Sequence, residues 1–170
     1  PALPEYAEFE VGGLTVGVVG AVTLETADIV SPSGIETIDF GDPVEAVNRV
    51  AAQLSDGDAA NGEADVIVAQ YHEGANLTTG LDAAKADRPE FAEIVDGTSA
   101  AVDVIFTGHT HQKYAYDAPI PGTERTRPVL QTGQYGENVG QVTLTVDSET
   151  GDVSAYTQQN VARVATADTT

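Results

Sequence analysis

The chain has 170 residues and a mass of 17.6 kDa, the length of one ordinary domain, and its 41% hydrophobic residues fall in short runs that mark a folded core. Its 27 Asp+Glu against 7 Lys+Arg give a formal charge of −20, which excludes phosphate-contact binding of DNA or RNA and attraction to an anionic membrane surface. With no Cys there are no disulfides, zinc–thiolate sites or thiol nucleophiles, and no run reaches the roughly 18 apolar residues of a membrane-inserted helix. The start, Pro1-Ala2-Leu3-Pro4-Glu5, has no initiator Met and neither a basic nor an apolar leader, so the chain is expected to be a processed product or a piece of something longer.

Phe9-Glu10-Val11 alternates and is expected to pair as a hairpin with the β-branched run Leu14-Thr-Val-Gly-Val-Val-Gly20, across the turn signal Gly12-Gly13. A helix follows: Asp42 is its N-cap, Pro43 its first residue, and Val44, Val47, Ala51 and Leu54 form one apolar stripe. Asp56-Gly57-Asp58 ends it, and a small polar loop runs to residue 64. Val66-Ile-Val-Ala69 reads as a central strand, apolar on both faces, ending in Gln70-Tyr71-His72-Glu73-Gly74. Residues 75–88 read as irregular and 89–95 as a short helix. The next strand, residues 102–107, ends in Gly108-His109-Thr110-His111. Pro119, Pro121, Gly122 and Pro128 mark a loop, Val129-Leu130-Gln131-Thr132 is another strand, and residues 139–146 and 153–159 form a closing antiparallel pair around Ser148-Glu-Thr-Gly151. The order predicts an α/β fold, a mainly parallel sheet with flanking helices and an antiparallel C-terminal hairpin. From residue 165 the small polar tail is expected to fray or act as a linker.

The chain holds 3 His, namely His72, His109 and His111, and each falls at the carboxyl end of a predicted parallel strand. Sites of α/β sheets form at that edge. One His is as well explained as a structural residue; three at one edge point to metal ligation. Residues i and i+2 of an extended segment point the same way about 6.5 Å apart. That is wide for one tetrahedral ion and suits ligands reaching two ions about 3.5–4 Å apart. Gly108 and Gly74 let backbone pass close to the site. Imidazole suits Zn, Mn, Fe and Ni alike. The His-x-His pairs of amidohydrolases and cupins need a further His downstream, and none follows His111.

Taken in order, Leu14-Thr-Val-Gly-Val-Val-Gly-Ala-Val-Thr-Leu-Glu-Thr26, Asp65-Val-Ile-Val-Ala-Gln-Tyr-His72-Glu-Gly74, Asp103-Val-Ile-Phe-Thr-Gly-His109-Thr-His111 and Pro128-Val-Leu-Gln-Thr-Gly-Gln-Tyr-Gly-Glu-Asn-Val-Gly140 resemble segments of the 5′-nucleotidase branch of the calcineurin-like metallophosphoesterases. The G-H-x-H stretch is the most specific of them, and the resemblance runs from about Phe9 to Val146. It implies the second half of that family's catalytic domain over residues 1–164, half of an αββα sandwich. It further implies a dinuclear site in which His72 and His109 bind one divalent ion and His111 reaches the other, with Tyr135 and Asn138 on a loop nearby. The implied reaction is hydrolysis of nucleotide phosphate monoesters or cyclic phosphodiesters, and the implied location extracellular, cell-surface or periplasmic. The family's D-x-H, G-D and G-N-H motifs have no counterpart: Gln70 and Thr107 stand two residues before His72 and His109, there is no Asn-His pair, and Asp42 of Gly41-Asp42 is a helix cap. The missing half is therefore expected outside this chain. The chain alone would be inactive and would self-associate through an exposed apolar face. The alternative is a stand-alone α/β binding or structural module with at most one weak metal site. Asn76-Leu77-Thr78 is a sequon without further meaning, Arg125 and Arg127 read as solvated loop charges before phosphate contacts, and Glu73 reads as either a support for a ligand or an exposed residue.

Overall fold

A computed structural model of the protein describes residues 3–147 and 150–164; the tail expected from residue 165, and part of the turn at 148–151, lie outside them. Six strands form one sheet in the order β1-β2-β3-β4-β6-β5. Strands β2 (Leu14–Val22), β3 (Val66–His72), β4 (Val104–Thr107) and β6 (Thr126–Thr132) run parallel, and β1 (Tyr6–Val11) and β5 (Lys113–Pro119) close the two edges antiparallel. The expected hairpin is β7 (Asn138–Val146) with β8 (Val153–Ala162), a separate two-stranded layer.

The strand period of two divides the sheet into unlike faces. Val19, Ile67, Ala69, Tyr71, Ile105 and Val129 point to one side and are buried against α3 (Pro43–Gln53) and α5 (Pro89–Gly97). There Gly17 is required by the close approach of α3, since a Cβ on it would lie 2.9 Å from Leu54 Cδ1. Of the stripe the spacing predicts, Val47, Ala51 and Leu54 are buried and Val44 is half-buried, while Val50, outside that stripe, is buried beside them; the Asp42 carboxylate caps the helix by accepting from the N–H groups of Val44 and Glu45 at 2.7 and 2.9 Å. On the other side the hairpin covers only part of the sheet: a Cβ on Gly140 would meet Thr132, Leu130 and Phe106. Beside it Phe9, Val16 and Val66, and Val18, Val68 and Val104, line up across β1–β4 on the same face, and Phe9, Val11 and Val22 remain 54%, 59% and 48% exposed.

Several details differ from the sequence reading, among them Pro128, read as loop, which lies inside β6. Helix α4 (Leu81–Asp87) occupies part of the stretch read as irregular; it is about two turns long with only Ala84 buried, so its sequence carries little apolar periodicity. Strand β5 lies within a segment assigned no strand, because its alternation rests on Tyr114, Tyr116 and the small Ala118. Single-turn helices α1 (Thr26–Ile29) and α2 (Pro32–Ile35) follow β2 and bury nothing. Arg127 is not a solvated charge: it is 1% exposed, and its guanidinium donates to the carbonyls of Ser99, Thr98 and Val102 at 2.6, 2.7 and 3.0 Å, satisfying chain just past α5. Burial pushes its pKa down to about 10.

Candidate functional site

The parallel register of β3 and β4 pairs Gln70 with Phe106 and Tyr71 with Thr107, so the chain leaves both strands side by side as His72-Glu73-Gly74 and Gly108-His109. The two glycines let these exits touch. A Cβ on Gly74 would sit 2.7 Å from the Gly108 carbonyl oxygen, and one on Gly108 would sit 3.3 Å from His72 Nδ1. The imidazoles of His72 and His109 thereby meet edge to face, their centroids 5.2 Å apart. His111 lies further out, exposed, its ring 5.9 Å from that of Tyr135. Asn138 donates to the Thr132 carbonyl at 3.0 Å and closes the turn that carries Tyr135.

His109, His111 and Tyr135 have φ of 69°, 59° and 50° and are the non-glycine residues of positive φ among the described residues. Side chains in this left-handed region cost energy and persist where surrounding bonds over-determine them. For the two histidines the brace is Gln131, buried at the end of β6. Its Nε2 donates to the Gly108 carbonyl at 2.8 Å, and its Oε1 accepts from the Gln112 N–H and the Thr110 hydroxyl, both at 2.9 Å. The Thr110 hydroxyl also lies 2.6 Å from the Ala75 carbonyl, tying this loop to the one after His72.

Three charged residues complete the surroundings. Glu73 is buried, not solvated, and takes a two-pronged grip from Arg88, Nε to Oε1 at 2.9 Å and NH2 to Oε2 at 3.1 Å. Arg88 also donates to Glu25 at 3.0 Å, and the other oxygen of Glu25 lies 2.8 Å from His109 Nε2. That bond, together with the Arg88 charge, holds the Glu25 carboxyl below the usual carboxylate range. With Arg88 engaged by two carboxylates, it is not free to clamp a substrate phosphate. A cleft of about 800 Å³ runs along the same sheet edge past Val22, Gln70, His72, Phe106 and Phe40; His109 and His111 stand outside its lining.

The structure thus brings His72 and His109 together, with Gly74 and Gly108 packed at their base, and sets His111 apart beside Tyr135. Among the described residues no group of three or more His, Asp and Glu stands close enough to hold one ion. Two facing imidazoles with one carboxylate behind them fit an edge of a cation site and not a full coordination sphere. Sequence reasoning passed over Glu25, Arg88 and Gln131. Glu25 and Gln131 both lie within the quoted motif segments, but only folding aims them at the histidine loop.

The fold is that of solved nucleotidases and calcineurin-like phosphoesterases over part of their length. Two solved structures share it: the NAD nucleotidase of Haemophilus influenzae, with TM-score 0.67 at 18% identity over 93% of this chain and 30% of that one, and the calcineurin-like phosphoesterase YfkN of Bacillus subtilis, with TM-score 0.59 at 19% identity over 92% and 50%. No family model matches the chain. In sequence it is 30% identical over 155 residues to endonuclease YhcR of Bacillus subtilis, 31% over 158 residues to cell wall protein Lmo0130 of Listeria monocytogenes, and 30% over 140 residues to a 5′-nucleotidase of Vibrio cholerae. These alignments take in 90%, 88% and 76% of this chain but span only 11%, 18% and 24% of the relatives' own length. In sequence the chain is thus similar to a portion of 5′-nucleotidases.

Proposed function

We propose that residues 1–164 form the carboxy-terminal half of a two-metal phosphohydrolase domain whose parent protein cleaves phosphate esters of nucleotides, monoesters or cyclic diesters. In this reading His72 and His109 bind one divalent cation, and His111 reaches a second, directly or through a bridging water. Such cations, when bound, supply the positive field and the acidified water that in-line phosphoryl cleavage needs. This chain contributes orientation: its two strand ends, glycine contacts and Gln131 brace fix two imidazoles at one rim. The remaining ligands, a bridging carboxylate among them, come from a layer seated on the uncovered sheet face, which leads up to His72 through Val22 and Gln70. The observation that carries the reading is the meeting of His72 and His109 from adjacent parallel strands at 5.2 Å. The Vibrio cholerae 5′-nucleotidase supports the nucleotide substrate, and the Listeria cell wall protein supports an extracellular or surface location. The shared segment is 11% of YhcR, so its endonuclease name adds nothing to the substrate reading.

One observation favours a second reading, a binding module with at most one weak cation site: His111 faces Tyr135 and not the other two histidines. A phosphate-release assay with AMP and Mn²⁺ or Zn²⁺ separates the two. The 170-residue chain is expected to give background rates. A longer chain that includes the sequence encoded before residue 1 is expected to release phosphate, and to lose this on chelation and in His72→Ala and His109→Ala. Nucleotidase-level turnover by the short chain, or a longer chain indifferent to both substitutions, would overturn the proposal.

A further inference from the structure

The two imidazoles are joined by more than their contact. From Glu73, the residue after His72, an unbroken run of charge-assisted bonds passes through Arg88 and Glu25 to His109, every step between 2.8 and 3.1 Å. Its anchor is rigid, since Glu73 is 2% exposed and its Oε1 also accepts from the Gly74 N–H at 2.8 Å. Its far end is not, because the Glu25 side chain is 48% exposed and, among the described residues, Arg88 and His109 are the partners that select its rotamer. A neutral imidazole carries one N–H and one lone pair, and an ionised carboxylate can only accept. The nitrogen that faces Glu25, Nε2, must therefore hold the proton, which leaves the lone pair on Nδ1.

We propose that Glu25, held by Arg88, is a positioning residue that keeps the His109 proton on Nε2 and presents Nδ1 as the nitrogen available to a divalent cation. The inference rests on the reading of His109 as a cation ligand and adds to it which ring nitrogen serves and what selects it. The arrangement follows the general logic of metal-binding histidines, whose second nitrogen is tied to a carboxylate that sets tautomer and ring orientation. Arg88 has the complementary task. It draws Glu25 toward the buried Glu73 and so fixes the acceptor's position on the His109 side.

Nitrogen–proton correlation spectra of the imidazoles in the metal-free 170-residue chain read the tautomer directly, with His109 assigned through His109→Gln. The expected result is a single Nε2–H tautomer for His109. It is replaced by a mixture in Glu25→Ala and shifts toward the Nδ1–H tautomer in Glu25→Gln, whose single amide oxygen accepts from Arg88 and leaves its NH2 facing Nε2. In both variants the His72 signals stay in place. A wild-type His109 protonated on Nδ1, or an unchanged tautomer in Glu25→Ala, overturns the proposal. A Mn²⁺ titration followed by broadening of the same resonances forms the second arm, with affinity expected to fall about 10–100-fold in Glu25→Ala. Equal affinity in wild type and Glu25→Ala also overturns it. No broadening of the wild-type histidines would sink the ligand reading of the proposed function, and the tautomer spectra would still decide what Glu25 does.

Discussion

Gln131 shows how a residue with no chemistry of its own can set the shape of a site. At 2% exposure it spends its amide on one loop, donating to Gly108 and accepting from Thr110 and Gln112. Gln131→Ala leaves the Gln112 N–H without its partner and the Gly108 carbonyl with the Thr110 N–H alone, and is expected to lower the unfolding free energy by about 1–3 kcal/mol. Urea midpoints measure that loss. If the brace also imposes the positive φ of His109 and His111, their amide resonances should shift or broaden while those of α3 hold. Two buried phenols give a pH test. Tyr71, bonded to Thr98, and Tyr114, bonded to Thr107, are pushed by burial from 10.0 up to about 12. The folded state keeps these protons after the unfolded chain has released them, so stability is intact below pH 10 and falls as pH rises toward 12. The loss is on the order of 2–3 kcal/mol per tyrosine. Urea midpoints at pH 9 and pH 11, with phenolate absorbance of the folded protein, check it. Of these residues, the histidines were legible as a motif. Glu25 was not, because its partner lies 84 positions away and only the sheet order brings the ends of β2 and β4 to one rim.

At the scale of elements, legibility followed the strength of the local signal. Helix α3 has a side-chain cap, a proline at its first turn and a four-residue apolar stripe, and all three operate in the fold. Strands β3 and β4 announce themselves as continuous apolar runs because helices cover one of their faces and β-structure part of the other. Strand β5 and helix α4 sit at the periphery, where few positions are buried and the pattern thins. The packing of α3 on β2 makes a sharper claim than the pattern did. Gly17→Ala places a methyl 2.9 Å from Leu54 Cδ1 and 3.1 Å from the Ala64 Cβ, so neighbours in a filled core must move. The expected cost is about 1–3 kcal/mol by denaturant unfolding. Pairing it with Leu54→Ala tests the cause. If the two side chains compete for one space, the double variant should lose less than the sum of the single losses.

The whole molecule sets a net charge of −20 against an apolar strip that its own hairpin does not cover. Phe9, Val11 and Val22 are the exposed members of that strip, beside Val16, Val18 and Val68. The fold class was readable from element order and an exposed apolar face was expected, but its place on the sheet was not legible, since periodicity says that a residue is apolar and not what covers it. These two features predict opposite responses to salt. At low ionic strength, where the screening length is about 30 Å, like-charged copies should repel and scatter light as monomers. At about 1 M salt the screening length shrinks to about 3 Å, and burial of the strip between copies should win. Phe9→Lys with Val22→Lys interrupts the strip at two strands without entering the helix-side core, and is expected to keep the chain monomeric at high salt with little change in its urea midpoint. Light scattering across a salt series checks both chains. Association of the wild type that weakens as salt rises, or that survives the double substitution, would assign self-association to some other surface.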